Sequence, residues 1–171
     1  LVARDATGRC RLAADLIRNV EGLTSMVNVP AFRMPRYEES LMDDAHRLAF
    51  EAENRLRLLV VENLESGDSG WWSTSVPPEV RGKAEARLEE DRETLTVGEE
   101  TLHPIAYLNL VEVFDLVHQH WALAFRPAFG MTDTALKELA RRFETCRNRL
   151  AHARPISHGQ YEELLATTRR L

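Results

Sequence analysis

Apolar residues recur every three or four positions between residues 38 and 66, and no other feature of the chain constrains its fold as strongly. This spacing places them along one face of an α-helix, because a helix makes one turn in about 3.6 residues. The recurring apolar positions are Leu41, Ala45, Leu48, Ala52, Leu56 and Leu59, and Asn63 continues the same face. We therefore predict a helix over residues 38–66 that forms the centre of the core.

The rest of the chain shows the same helical spacing and no sustained alternation of β-branched residues. The predicted class is all-α, an antiparallel helical bundle of four to five helices. One of these is a charged helix over residues 79–93, opened by the pair Pro77-Pro78. Trp71 and Trp72 precede it in a predicted loop, where packing across the end of the bundle is favoured over stacking with nucleic-acid bases.

An aromatic stripe predicts the next helix, which begins after Pro104 and is buried on two sides. The stripe comprises Tyr107, Val111, Phe114, Trp121 and Phe125. Pro127 and Gly130 are predicted to end this helix. His118 falls on the same stripe and is interpreted as a hydrogen-bonded interior residue. His120 points about 200° away from it, so the two histidines are not expected to bind a metal ion together.

Capping residues mark the two C-terminal helices. Thr132, or the residue after it, is expected to cap the first of them. Its predicted inward residues are Leu136, Leu139, Phe143, Cys146 and Leu150. Because the residue before a proline is driven out of the α region, Pro155 should end this helix within about two residues of His152. Ser157, followed three positions later by Gln160, predicts a capping box for the last helix.

The composition is that of an ordinary globular domain. The chain has 171 residues, of which 44% are apolar and 29% charged, enough to build one core. No apolar stretch approaches the roughly 20 residues that span a bilayer, and the N-terminus lacks the apolar core of a signal peptide. Cys10 and Cys146 indicate neither a disulfide framework nor a zinc site. The sequence thus predicts a cytoplasmic protein without a membrane segment, a metal or a cofactor.

The N-terminal residues differ from the rest of the chain. Residues 9–22 are predicted to form a short helix, after which two prolines and an asparagine interrupt regular structure. We assign residues 1–36 to an N-terminal appendage or the tail of a preceding domain, and residues 37–171 to the bundle. The chain begins with Leu1 rather than Met, which we interpret as a piece of a longer protein with further domains before it.

Residues 147–152 read Arg-Asn-Arg-Leu-Ala-His and lie where the penultimate helix is about to end. Arg147 offers a planar, permanently charged set of donors for phosphate oxygens, and His152 can move protons near neutral pH. This part of the chain is basic, with eight Lys and Arg against four Asp and Glu from Lys137 onward. The motif suits binding and cleavage of a phosphodiester. The alternative is that both side chains only cap the helix end and balance its dipole.

The motif and its context resemble the HEPN superfamily. Its members carry an Arg, a polar residue and, a few positions on, a His at the end of a late helix in a small antiparallel bundle. Here Arg147, Asn148 and His152 occupy those positions. Over roughly residues 38–171 the chain is similar to the branch that includes a transcript-surveillance endonuclease of eukaryotes. The further shared features are Glu53 and Arg55-Leu56, the pair Trp71-Trp72, and the Trp-Ala-Leu-Ala-Phe segment that begins at Trp121.

The resemblance implies a metal-independent endoribonuclease whose two motifs face each other across a homodimer. Positions five apart on a helix lie about 140° apart around its axis, so Arg147 and His152 of one chain do not converge on one phosphate. A twofold axis would bring the Arg of one chain toward the His of the other. In this mechanism His152 moves protons and Arg147 stabilises charge, while Asn148 orients the imidazole or holds a phosphate oxygen. Arg149 and Arg154 guide the RNA backbone.

Two other classes of function remain open. A non-catalytic HEPN-like module would bind a nucleotide, RNA or a protein partner, and a purely structural helical domain would have no affinity for nucleic acid. The acidic residues Asp43, Asp44, Glu51 and Glu53 are interpreted as a solvated or mixed face of the long helix. A carboxylate of this helix could also reach the motif, but the sequence does not place it there. The leading interpretation is a homodimeric ribonuclease, with RNA as its partner, at the effector end of a larger defence or RNA-surveillance protein.

Overall fold

The computed structural model describes residues 39–95 and 102–171, all of which lie in the structural unit Arg36–Leu171. Within these two ranges the chain forms seven α-helices, one 3-10 helix and one π-helical turn, without any β-strand. The α-helices are α1 (Glu39–Glu65), α2 (Trp71–Thr74), α3 (Pro78–Arg92), α4 (Leu110–Gln119), α5 (Arg126–Phe129), α6 (Asp133–Ala151) and α7 (His158–Thr168). Five of them have ten or more residues, which confirms the predicted all-α bundle. The predicted helix over residues 9–22 and the predicted appendage over residues 1–36 lie outside the described residues.

Helix α1 runs as predicted, and Ala45, Ala52 and Leu56 of the predicted face are buried, but at the other predicted positions the buried residue is the next one along the chain. The buried residues are Met42, Ala45, Ala49, Ala52, Leu56, Val60 and Leu64. Leu48 and Leu59 of the predicted stripe are only partly covered. Neighbouring positions lie about 100° apart around a helix, and apolar residues occupy both stripes. The packing of α4, α6 and α7 against α1 therefore decides which stripe is buried, and periodicity alone does not.

The aromatic segment is interrupted where the sequence predicted one continuous helix. It forms a 3-10 helix (Pro104–Tyr107), then α4, then a π-helical turn (Trp121–Phe125) and α5. A new helix begins after Asn109 because the carboxylate of Glu112 accepts its N–H over 2.7 Å. Pro127 lies in the first turn of α5, where its missing N–H is not needed, while Gly130 ends α5 in the left-handed region at φ 59°. Val111, which the stripe placed inward, is exposed on α4.

Trp71 opens the one-turn helix α2, where the sequence predicted a loop. Its ring is buried, lies edge-on to Trp72 with centroids 5.5 Å apart, and stacks on His103 at 5.7 Å. Burial lowers the pKa of His103, which favours the neutral ring in this cluster. The indole N–H of Trp72 donates to Glu85 of α3 over 2.9 Å. The two tryptophans pack within the bundle, as predicted, so the buried Trp71 ring offers no platform for bases.

Helix α6, which carries the motif, is placed as predicted. Its N-cap Thr132 accepts the N–H of Ala135 over 3.1 Å. All of its predicted inward residues are buried: Leu136, Leu139, Phe143, Cys146 and Leu150. Burial raises the pKa of the Cys146 thiol, so this group stays protonated near neutral pH. The predicted capping box of α7 is present, and its Ser157 N–H donates to Gln160 Oε1 over 2.9 Å.

Two contacts of α6 and one surface pocket shared by the ends of α1 and α4 fix the direction of α6 in the bundle. His118, near the end of α4, bonds to the carboxylate that starts α6 over 2.6 Å, as the interior histidine that was predicted. His120 lines the same surface pocket as Leu64, which lies at the end of α1. Further along α6, Arg147 reaches Glu53, well before the end of α1. Helices α1 and α6 are therefore antiparallel, and the end of α6 points toward the first turns of α1.

Candidate active site

Helix α6 ends in a backbone turn that fixes the position of His152. The N–H of Ala153 donates to the carbonyl of Leu150 (2.9 Å), and the N–H of Arg154 donates to the carbonyl of Arg149 (2.8 Å). This is the Schellman pattern, in which the residue after the C-cap adopts the left-handed conformation. Ala153 is that residue, at φ 50°. His152 therefore occupies the C-cap position, exposed beyond the last turn of the helix.

Replacing Ala153 with glycine should raise the free energy of unfolding by about 0.5–1 kcal/mol. The left-handed conformation costs an L-residue about 1–2 kcal/mol, and glycine avoids this cost. Glycine also makes the unfolded chain more flexible, which offsets part of the gain in stability. Urea unfolding followed by circular dichroism measures the change. The matched control is Ala151→Gly in the last turn of α6, which should lower the same free energy by up to about 1 kcal/mol. If Ala153→Gly is no more stable than the wild type, the backbone of Ala153 is not strained.

Arg147 is bonded across the bundle to Glu53 of α1. Its Nε–H donates to Glu53 Oε1 over 2.6 Å. Glu53 exposes 12% of its side-chain surface, and Arg147 exposes 33%. Because the Nε–H makes the bond to the carboxylate, the two terminal amino groups are left for other partners. In the described part of the chain, only one of these groups makes a further contact, 3.5 Å to Oδ1 of the exposed Asn148. A carboxylate of α1 thus reaches the motif, a possibility that the sequence left open.

Glu53 is shared with a second arginine, Arg57, which the sequence motifs did not include. The NH2 group of Arg57 donates to Glu53 Oε2 over 3.2 Å and to the carbonyl of Leu108, just before α4, also over 3.2 Å. Two guanidinium groups thus flank one carboxylate, and the cluster carries an excess positive charge. Its sequence signal is the spacing of Glu53 and Arg57, since residues four apart on a helix face each other. An excess of guanidinium suits the binding of an anion such as phosphate.

The other predicted site residues differ in their surroundings. Arg149 is half-buried, and its NH2 group donates to the carbonyl of Pro155 over 2.7 Å, so it stabilises the turn after α6. Arg154 and His152 are exposed. Among the residues that the structure describes, no hydrogen bond or ion pair joins Arg147 to His152, and the imidazole forms neither with any other side chain.

No group of three or more His, Cys, Asp or Glu residues within residues 39–95 and 102–171 is arranged to hold a metal ion. None of the helices in these ranges is both long and apolar enough to cross a membrane.

An all-α bundle with an Arg, an Asn and a His at the end of a late helix has the architecture of a HEPN domain. The family model described as Swt1-like HEPN matches residues 48–171, more than half of the chain, and the chain therefore belongs to this family. The match confirms the resemblance inferred from the motifs, although it begins at residue 48 rather than residue 38. No curated protein and no solved structure matches the chain. Membership of the family supports a nuclease or another RNA-related module.

Proposed function

We propose that this domain is a metal-independent endoribonuclease that acts as a homodimer, with Arg147 and His152 as its catalytic residues. The observation that carries the proposal is the bond between Arg147 and Glu53. It holds a partly exposed guanidinium through its Nε–H and leaves the terminal amino groups for phosphate oxygens. The planar donors of an arginine can bind two oxygens of one phosphate at the same time.

The reaction needs only the RNA and these two side chains. A neutral imidazole of His152 takes the proton of a ribose 2′-hydroxyl, whose oxygen then attacks the adjacent phosphorus. The bond from phosphorus to the 5′ oxygen breaks, and the imidazolium that His152 became in the first step gives its proton to that oxygen. Arg147 stabilises the negative charge that builds up on the phosphoryl oxygens. The products are a 2′,3′-cyclic phosphate and a 5′-hydroxyl, and DNA is not cleaved because it lacks the attacking group.

The surface of α1 supports the homodimer. His152 lies about 140° from Arg147 around the axis of α6, so one chain does not bring both groups to one phosphate. Phe50, which lies one turn before Glu53 on α1, exposes 69% of its surface, and Leu58, about two turns after Phe50, exposes 57%. Exposed apolar residues that lie together on a helix mark an interaction surface. A second copy bound there by a twofold axis would supply the missing group to each site.

Basic and polar residues around the motif would hold the RNA backbone. The exposed Arg154 is available for direct contact with a phosphate, whereas Arg149 is already bonded to a carbonyl and contributes mainly its charge. Asn148, beside Arg147, can hold a phosphate oxygen or orient the imidazole. The excess of Arg and Lys from Lys137 onward attracts a polyanion to this end of the chain.

Arg147→Ala and His152→Ala should each slow the cleavage of labelled single-stranded RNA by a factor of at least about 100, because one removes charge stabilisation and the other proton transfer. The assay is run in EDTA, where cleavage by the wild-type domain should continue. The same strand built with 2′-deoxy sugars should stay intact. The matched control is Arg92→Ala, an exposed arginine of α3 paired with Glu89 of the same helix and outside the basic C-terminal part, which should cleave RNA like the wild type.

The other functions give different results in the same assay. A wild-type domain that binds RNA without cleaving it would contradict the enzymatic proposal and identify a non-catalytic HEPN module. A domain that neither binds nor cleaves RNA would be a structural one. Loss of wild-type cleavage in EDTA would refute metal independence.

A further inference from the structure

Arg57 is the less exposed of the two arginines that flank Glu53, with 15% of its side-chain surface exposed. Its NH2 group is divided between Glu53 Oε2 and the carbonyl of Leu108, and its NH1 group lies 3.5 Å from Asn54 Oδ1. Its Nε is buried, and no described residue accepts a hydrogen bond from it. A buried donor without a partner disfavours the folded state. The contacts that hold Arg57 are therefore those of its NH2 group to Glu53 and Leu108, and its Nε adds nothing to them.

The two oxygens of Glu53 are divided between the two arginines. Oε2 accepts from Arg57, and Oε1 accepts from Arg147. Both oxygens belong to one planar group, so any rotation of the carboxylate relative to Arg57 also moves Oε1 relative to Arg147. Arg57 is itself fixed by a backbone carbonyl, that of Leu108. A continuous series of contacts therefore runs from the backbone before α4, through Arg57 and Glu53, to Arg147.

We propose that Arg57 is a positioning residue of the active site, which fixes the carboxylate of Glu53 and thereby orients the guanidinium of Arg147. The effect expected on kcat rests on the proposed ribonuclease function. The effect expected on the orientation of the Arg147 side chain does not. Arg57 also supplies the excess positive charge of the cluster, because Glu53 and Arg147 alone form a neutral pair that attracts a phosphate less strongly. In this role Arg57 acts through Glu53 and does not touch the RNA.

The bundle contains a second arginine with the same kinds of partner. Arg87 of α3 donates through NH1 to the carboxylate of Glu112 over 3.0 Å and to the carbonyl of Tyr107 over 2.7 Å. Both arginines bond to the backbone just before α4, Arg57 to the carbonyl of Leu108 and Arg87 to that of Tyr107, although Arg87 is more exposed. Its carboxylate partner is not bonded to Arg147. Loss of Arg87 therefore reports the effect of losing one carboxylate bond and one carbonyl bond at a site that is not joined to Arg147.

The first test is structural and uses the Hε–Nε NMR signal of Arg147, identified by its loss in Arg147→Lys. Arg57→Met, Arg57→Lys and Arg87→Met are compared in the full chain, at a temperature where circular dichroism shows each to be folded. Arg57→Met should shift or broaden the signal, and Arg87→Met should leave it at the wild-type position. Arg57→Lys retains the charge and a donor, so it should give an intermediate result. An unshifted signal in Arg57→Met would overturn the proposal, whether or not the domain cleaves RNA.

The second test is kinetic. Arg57→Met should lower kcat for RNA cleavage at least about tenfold, as expected when a catalytic group is misplaced, and Arg57→Lys should recover part of the loss. Arg87→Met should retain the wild-type kcat. If the wild-type domain cleaves RNA, Arg147→Ala does not, and Arg57→Met keeps the wild-type kcat, then the positioning role is wrong and the ribonuclease function stands. If the wild-type domain does not cleave RNA, the ribonuclease function is wrong and the NMR signal alone decides the role of Arg57.

Discussion

Mixing the Arg147→Ala and His152→Ala variants should restore RNA cleavage, although each variant alone is inactive. In a composite site, Arg147 comes from one subunit and His152 from the other. A mixed dimer therefore contains one site with both groups and one site with neither. If subunits exchange at random, half of the dimers are mixed and each has one working site, so about one quarter of the wild-type rate is expected.

The sharpest form of this experiment isolates the mixed dimer. The two variants are co-expressed with different affinity tags and purified through both, and the specific activity should then be about half that of the wild type. The control pairs each single variant with the Arg147→Ala, His152→Ala double variant. Those mixed dimers contain no complete site and should be inactive. A purified mixed dimer of the two single variants without activity would contradict the composite site.

The parts of the fold that sequence predicts well are those that neighbouring residues determine. Thr132 caps α6, Pro155 follows its end, and Ser157 with Gln160 opens α7, as predicted, because a cap or a stop acts within a few positions. The aromatic segment was predicted less well. There a local cap at Asn109 competes with helical periodicity, and the cap starts a new helix.

The arrangement of the candidate site could be predicted only in part, for a different physical reason. Arg147 and His152 are close in sequence and share a motif, whereas Glu53 lies 94 positions away from Arg147 and meets it only through the packing of α1 against α6. Periodicity identifies apolar positions but does not distinguish the core from an interaction surface. Phe50 and Leu58 are apolar and exposed on the same helix that supplies the core, so their role depends on tertiary structure.

Glu53→Gln should lower the free energy of unfolding by about 2–4 kcal/mol and slow RNA cleavage by a factor of about 100 or more. A glutamine amide has one acceptor oxygen and one NH2 donor. Whichever way it turns, its NH2 group faces a guanidinium donor of Arg57 or of Arg147. The two guanidinium groups then lose the carboxylate between them at a largely buried position. Removing one partner of a buried ion pair is strongly destabilising, because it leaves the opposite charge without compensation.

Urea unfolding and the RNA assay measure both effects, with Glu112→Gln as the matched control. Glu112 pairs with Arg87 in the other interhelical ion pair, so its variant should lose stability but cleave RNA normally while folded. In an Arg147→Met background, Glu53→Gln should cost less than in the wild type, because only Arg57 then loses its anion. Equal costs in the two backgrounds would mean that Glu53 stabilises the bundle through Arg57 alone. In that case Glu53 would not hold Arg147, and the nuclease proposal would lose the contact that carries it.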